Sequence, residues 1–253
     1  MQKTVSVNVT MSHMTQRIGM ARADLLMTIV VVALIVGLTL PLVTSARRHA
    51  GAVDCQAHLG QLAVAQRRLP PRDPGQMIWP RRIVEEAGVS ETALRCPQAI
   101  EVEDGFGSDA ASWQMKTTLP EGELYVICSY AINGWTLPSD PASDRGHADY
   151  FVKPAAPAAA RAPVFGDAMW IDSYPLEANR TPPNLREGDR RMQGRNLLDR
   201  ENMLARFTIA RHGRGIHLAF LDGHVERVKL EDLKHLPWHE GWKSEEWDPP
   251  LPL

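Results

Sequence analysis

Leu25 to Val43 reads LLMTIVVVALIVGLTLPLV, nineteen residues without a charge. At ~1.5 Å rise per residue, a helix of that length reaches ~29 Å, about one hydrocarbon core of a bilayer. A helix inside a soluble domain rarely stays apolar on every face for so long. The run therefore predicts a membrane segment rather than a core helix. It divides the chain into a short part before it and a long part after it.

The charge follows the same division. The 253 residues carry a formal net charge of -2. Residues 1–69 hold seven basic side chains against two acidic ones, and residues 70–253 hold 21 against 28. All seven tryptophans lie in the second part. An acidic head argues against a nucleic-acid partner, because phosphates favour Lys and Arg.

Three readings of the apolar run stay open: a cleaved secretory signal, a plain anchor, or the stalk of a filament subunit. A secretory signal has a shorter apolar core followed by a small-x-small cleavage site, which Thr44-Ser45-Ala46 supplies only faintly. Basic residues flank the run on both sides, Lys3, Arg17 and Arg22 before it and Arg47 and Arg48 after it. The positive-inside rule therefore does not choose an orientation.

The residues before the run are more specific. Arg17-Ile18-Gly19-Met20-Ala21-Arg22-Ala23-Asp24-Leu25 resembles the signal of type IV prepilins and type II secretion pseudopilins. The resemblance implies that a prepilin peptidase cuts after Gly19 and that Met20 becomes a methylated first residue. Asp24 is then the fifth mature residue, where the family carries Glu. Pro41 is the twenty-second, where pilin stalks carry a helix-kinking proline. Arg22 departs from the family, which has an apolar residue there. The resemblance further implies that Asp24 pairs with the terminal amine of a neighbouring subunit. The simpler reading is that Asp24 marks the membrane boundary and favours the helix N-terminus.

Beyond the membrane run, Ala52, Cys55, Leu59, Leu62 and Leu69 recur at helical spacing. Pro70-Pro71 ends the pattern. A helix from about 24 to 69 is ~70 Å long. The stretch Asp54 to Leu62 resembles the C-x-x-N-L-x-Q-L segment of bacterial pseudopilin-like proteins, with His58 where that pattern has Asn.

The rest of the chain is loop-rich. Residues 83–87 predict a short helix closed by Gly88, and residues 124–130 and 164–171 predict strands. Residues 154–163, rich in Ala and Pro, predict a linker or surface loop. Residues 172–206 predict a long irregular insertion. Residues 215–228 place Asp222-Gly223 between two β-favouring runs, a strong hairpin signal. A two-residue turn there pairs Leu221 with His224. Ile216, Leu218, Phe220 and Val225 then share one face, which is expected to bury against the stalk helix.

His212 stands nine residues before Asp222-Gly223. This H-x9-DG pattern resembles the C-terminal signature of a large pseudopilin-like family of planctomycete-type bacteria. Leu94-Arg95-Cys96-Pro97, Ser129 to Asn133 and Phe165-Gly166-Asp167 resemble its further landmarks.

Chemistry is harder to read. His212, His217, Asp222 and His224 are metal-ligand types, but the hairpin sets His217 and His224 ~13 Å apart. The favoured reading has no metal: Asp222-Gly223 makes the turn, and His212 donates a hydrogen bond near it. A Ca²⁺ site on Asp222, Asp167 or nearby carbonyls is left open by the resemblance. No nucleophile-elbow, zincin, P-loop or dinucleotide pattern is present, so no catalytic residue and no enzyme activity is expected. Trp238, Trp242 and Trp247 are read as packing. Cys96 and Cys128 either form a disulfide, worth ~3 kcal/mol for a loop of about 30 residues, or stay as buried thiols. Cys55 is read as free or packed.

The expected fold is α+β and pilin-like: a leader at 1–19, a transmembrane and stalk helix at 20–69, and a head at 70–253 with a small antiparallel sheet and long loops. The expected function is structural. The chain is a pseudopilin-like, single-pass protein of the bacterial inner membrane, its head outside the cytoplasm and its partners a prepilin peptidase and other pilin-like subunits. The alternative is a membrane-tethered binding module of the envelope that forms no filament.

Overall fold

The structure is a computed structural model and describes residues 16–70, 79–119, 122–137, 148–152, 160–189 and 200–252. The predicted leader therefore lies almost wholly outside the described residues. The chain divides into two compact units, Met1–His49 and Ala50–Leu253.

In the first unit the backbone is helical from Gln16, the start of α1 (Gln16–Arg68). The side chains of residues 22–49 are exposed on every face, including all of Leu25 to Val43. This helix is long and apolar enough to cross a membrane. The hydroxyls of three of its threonines are satisfied within the helix. Thr28, Thr39 and Thr44 donate their hydroxyls to the carbonyls of Asp24, Ile35 and Pro41 at 2.7, 2.8 and 2.9 Å. Such internal pairing is what an apolar medium demands. Pro41 sits inside the helix, where it removes one backbone donor.

The second unit begins with the remainder of α1. Gly51, Cys55, Leu59, Leu62, Ala63 and Ala65 are buried, at steps of one to four residues, while Val53, Asp54 and Gln61 are exposed. Burial of each leucine contributes roughly 1.5–3 kcal/mol. A short helix α2 (Trp79–Glu85) carries Pro80 at its start, where a missing N–H is harmless. It ends before Gly88, which adopts φ 69°.

Two sheets follow. The first joins β1 (Glu101–Asp104), β2 (Ala111–Leu119) and β3 (Gly122–Cys128) in that order. The chain leaves it at Ser129 and enters the second sheet as β4 (Tyr130–Asn133). That sheet also holds β5 (Pro163–Asp167), β6 (Asp172–Ser173), β7 (Gly215–Phe220) and β8 (Val225–Lys229), in the order β6-β4-β5-β7-β8. The predicted strand at 124–130 is thus two strands in two sheets, and the one at 164–171 stops at Asp167. The linker predicted at 154–163 lies mostly outside the described residues.

The second sheet is covered on both faces. On one face, Cys55, Leu59 and Leu62 of α1 join Trp79, Ile83, Ile132, Val164, Phe165 and Ala219 in one core. On the other, Ile216, Leu218 and Phe220 pack with Phe207, Ile209, Leu233 and Trp238. This corrects the expected facing of the hairpin. Ile216, Leu218 and Phe220 point away from α1, towards the C-terminal segment, and Ala219 and Val225 belong to the α1 side. An alternating pattern cannot tell the two faces apart when both are buried.

The turn is corrected as well. Gly223 donates to Phe220 O at 2.9 Å, and Phe220 donates to His224 O at 3.0 Å. His224 therefore faces Phe220, not Leu221, and their rings stack with centroids 4.2 Å apart. The extra residue is Gly223 at φ 97°, the bulge that a three-residue hairpin loop requires. Among the described residues, the irregular insertion expected at 172–206 holds for 174–189 only: Asp172–Ser173 form β6, Arg200–Arg206 form 3-10 turns, and Ser173, Met203, Leu204 and Ala205 are buried. It helps to build the core instead of lying outside it.

Candidate functional site

Asp167 ends β5, and its carboxylate has no exposure. Burial of an ionised carboxylate requires charged or hydrogen-bonding partners, and the fold supplies them from four other places in the chain. The Arg211 guanidinium reaches Oδ1 at 3.3 Å. His212 Nε2 stands 3.1 Å from Oδ2, and the backbone N–H of His217 donates to the same oxygen at 2.9 Å. Cys55 Sγ lies 3.6 and 3.7 Å from the two oxygens. Cys96 Sγ completes the group, 3.4 Å from His212 Nε2. Tyr130 donates its hydroxyl to Cys55 Sγ at 3.4 Å.

Each residue is placed by a local feature. Cys55 sits on the buried face of α1. Cys96 follows the short 3-10 turn Glu91–Leu94, whose N-cap Ser90 accepts from the Thr92 N–H. Tyr130 opens β4. Arg211 and His212 precede a turn with Gly213 at φ 71°, and His212 N–H closes it onto Gly215 O at 3.0 Å.

The electrostatics are those of a dry ion cluster. Burial alone would raise the Asp167 pKa, but the positive charges of His212 and Arg211 outweigh it and hold the carboxyl below the usual range. Burial works against a proton on His212, yet the Asp167 charge wins and lifts the ring to about 9. His217 goes the other way, to about 4, because burial and the neighbouring His212 and Arg227 charges exceed the pull of Asp167. Burial pushes Cys55 up, helped by Cys96 and the Asp167 charge. Cys96 is brought down to about 6 despite its burial, by hydrogen bonds from Cys55 and His212 and by the Arg211 charge.

Cysteine, histidine and aspartate invite comparison with a catalytic triad. A triad needs its two partners on opposite ring nitrogens. Here Cys96 and Asp167 both face Nε2 of His212, and the buried Nδ1 has no hydrogen-bond partner among the described residues. Proton relay through the ring is not set up. Two surface clefts, about 300 Å³ between α2 and β3 and about 450 Å³ between α1 and residues 86–90, include no member of the cluster in their walls.

No protein-family model, no curated protein and no solved structure matches the chain.

The predicted site residues fall into separate places. Asp24 is exposed on α1 and Pro41 lies within the helix. Gly19 and Met20 lie in the helical backbone, but their side chains are outside the described residues. His212 does not reach Asp222-Gly223. The six-residue β7, ~20 Å long, separates them. The nine-residue spacing measures one strand with its flanks, and the expected hydrogen bond from His212 to the turn is replaced by its contacts with Asp167 and Cys96. Asp222 instead accepts from the N–H of His224 at 3.0 Å, and its carbonyl accepts from Arg67 at 3.3 Å.

Cys96 and Cys128 are both free thiols. They do not face one another: Cys128 Sγ accepts from the Tyr130 N–H at 3.3 Å, and burial pushes its pKa to about 12. The donors around Asp167 are sulfur and nitrogen, so this carboxylate offers no oxygen-rich Ca²⁺ site. Trp238 and Trp247 pack in the core, as read from sequence. Sequence reasoning assigned Cys55 no part in a site. The available signal was that four separate landmark stretches, and the stalk segment, each carry one polar residue of this cluster.

Proposed function

We propose that the protein is a pseudopilin-like structural subunit, processed by a prepilin peptidase and assembled through its stalk into a type II secretion or type IV pilus-like filament of the bacterial inner membrane. The observation that carries this reading is α1. One helix contains an apolar run exposed on every face, preceded by Asp24 and interrupted by Pro41, and continues into a stretch whose buried face is part of a β-sheet core. A cleaved secretory signal needs no such continuity, since it is discarded. An anchor needs neither a carboxylate at the head of the run nor a cleavage glycine five residues before it.

The work proposed for the head is to present a surface outside the membrane, while the stalk makes subunit contacts. Asp24 would neutralise the amine that cleavage creates, because an unpaired charge in the bilayer is expensive. Mass spectrometry of the N-terminus of the membrane-extracted protein tests this. The expected terminus is Met20, methylated on its amine. An intact leader, or a cut after Ala46, overturns the reading.

A further inference from the structure

We propose that Cys55, Cys96, Asp167 and His212 bind a thiophilic divalent cation of the Zn²⁺ class inside the head. Their ligand atoms all lie within 4.8 Å of one another, and all four residues are buried.

Three of the six donor-to-donor edges are close to those of a tetrahedral site. Zinc bonds of about 2.3 Å to sulfur and about 2.0–2.1 Å to nitrogen or oxygen set donor-to-donor edges of roughly 3.3–3.8 Å. The observed edges are 3.4 Å from Cys96 to His212, 3.1 Å from His212 to Asp167, and 3.6 Å from Cys55 to Asp167. The remaining edges lie within 4.8 Å, so shifts of up to about an ångström would seat an ion. The donor set of two sulfurs, one nitrogen and one oxygen selects against Mg²⁺ and Ca²⁺, which take oxygen ligands.

The surroundings also suit an ion. Asp167 is aimed by Arg211 and by the His217 N–H, the outer support that metal-binding carboxylates use. Charges close without remainder. With the ion bound, two thiolates and one carboxylate balance the dication together with the Arg211 guanidinium, and His212, protonated in the metal-free cluster, becomes neutral. Such closure matters because a buried charge without a partner is expensive. All four ligands belong to the second unit. They come from α1, the segment after the 3-10 turn, the end of β5 and the loop before β7, so the ion would tie four distant segments together. No ligand borders either surface cleft, which fits a closed structural site rather than an open catalytic one. Binding releases the ring proton of His212 and a proton from each thiol that is not already ionised.

The test uses the full chain in detergent, purified without chelator or added metal. Elemental analysis is expected to find one zinc per chain. Removal with a chelator lowers the thermal midpoint, and added Zn²⁺ restores it. Added Co²⁺ gives a thiolate-to-cobalt charge-transfer band and intense visible bands of tetrahedral cobalt. Cys55→Ser and Cys96→Ser lose the charge-transfer intensity, whereas Cys128→Ser keeps it. If the serine variants fail to fold, the wild-type measurements alone decide. A folded wild-type chain without zinc and without cobalt bands overturns the proposal. So does a Cys55–Cys96 disulfide in protein purified without reductant. Neither result depends on where the N-terminus is cut.

Discussion

The Arg211 guanidinium stands 3.3 Å from the Asp167 carboxylate, and neither side chain has any exposure. Arg211 also donates to the carbonyls of Ser108, Ala111 and Ser129 at 2.6, 3.0 and 2.5 Å. Breaking a buried ion pair costs about 3–5 kcal/mol, and here the loss of Arg211 leaves Asp167 with His212, at 3.1 Å, as its remaining counterion. Arg211→Met should therefore lower the stability of the chain by that amount in chemical denaturation. A loss below about 1 kcal/mol would show that the pair is not what holds this region.

Gly166, next to Asp167, has no room for a side chain. A Cβ there would sit 2.3 Å from Leu218 Cδ2 and 3.2 Å from the Phe207 ring. Gly166→Ala should destabilise by about 1–3 kcal/mol through overpacking. Unchanged unfolding of the variant would mean that Leu218 can move aside without loss.

Glu177 offers a pH readout away from the cluster. Its Oε1 accepts from the Lys243 N–H at 3.0 Å, and Oε2 lies 3.0 Å from His239 Nε2. Partial burial works to raise its pKa, but these partners prevail and hold it below its usual value. A lowered carboxylate pKa stabilises the fold above the unfolded value, about 4.3, and this contribution fades as the pH falls through and below it. The stability gap between wild type and Glu177→Gln should narrow on acidification from about pH 5 to about pH 2. An equal gap at both pH values contradicts the assignment.

The two units should be separable. A chain lacking residues 1–49 retains Cys55, Leu59 and Leu62, the part of α1 that enters the core. It should stay soluble without detergent and unfold at the midpoint of the full chain. Aggregation, or a midpoint many degrees lower, would show that the first unit contributes to the stability of the second.

Under the proposed function, Asp24→Ala should leave cleavage after Gly19 intact and reduce crosslinking between subunits along residues 25–43. Crosslinking at the wild-type level would remove Asp24 from assembly.

Much of this architecture was legible. Leu25 to Val43 announced itself by the absence of charge, and Pro70-Pro71 marked the end of α1 to within two residues. The hairpin was legible as a hairpin, yet its register slipped by one because Gly223 takes a bulge that residue types alone do not reveal. The cluster was not legible. Cys55 meets Asp167 across 112 residues, and Cys96 meets His212 across 116. No local spacing encodes such a meeting. It depends on β5 and β7 pairing side by side under α1, which only tertiary packing decides. The same packing left Cys96 and Cys128 as buried thiols, one of the two outcomes the sequence had left open.

Arg211 has a consequence for how the head comes apart. Its donors grip Ser108 and Ala111, where β2 of the first sheet begins, and Ser129 and Asp167, just before β4 and at the end of β5 in the second. Prising either sheet away would strand a guanidinium in a dry interior. The two sheets therefore behave as one cooperative block, and amide hydrogens deep in either of them exchange with solvent only through an opening that releases both.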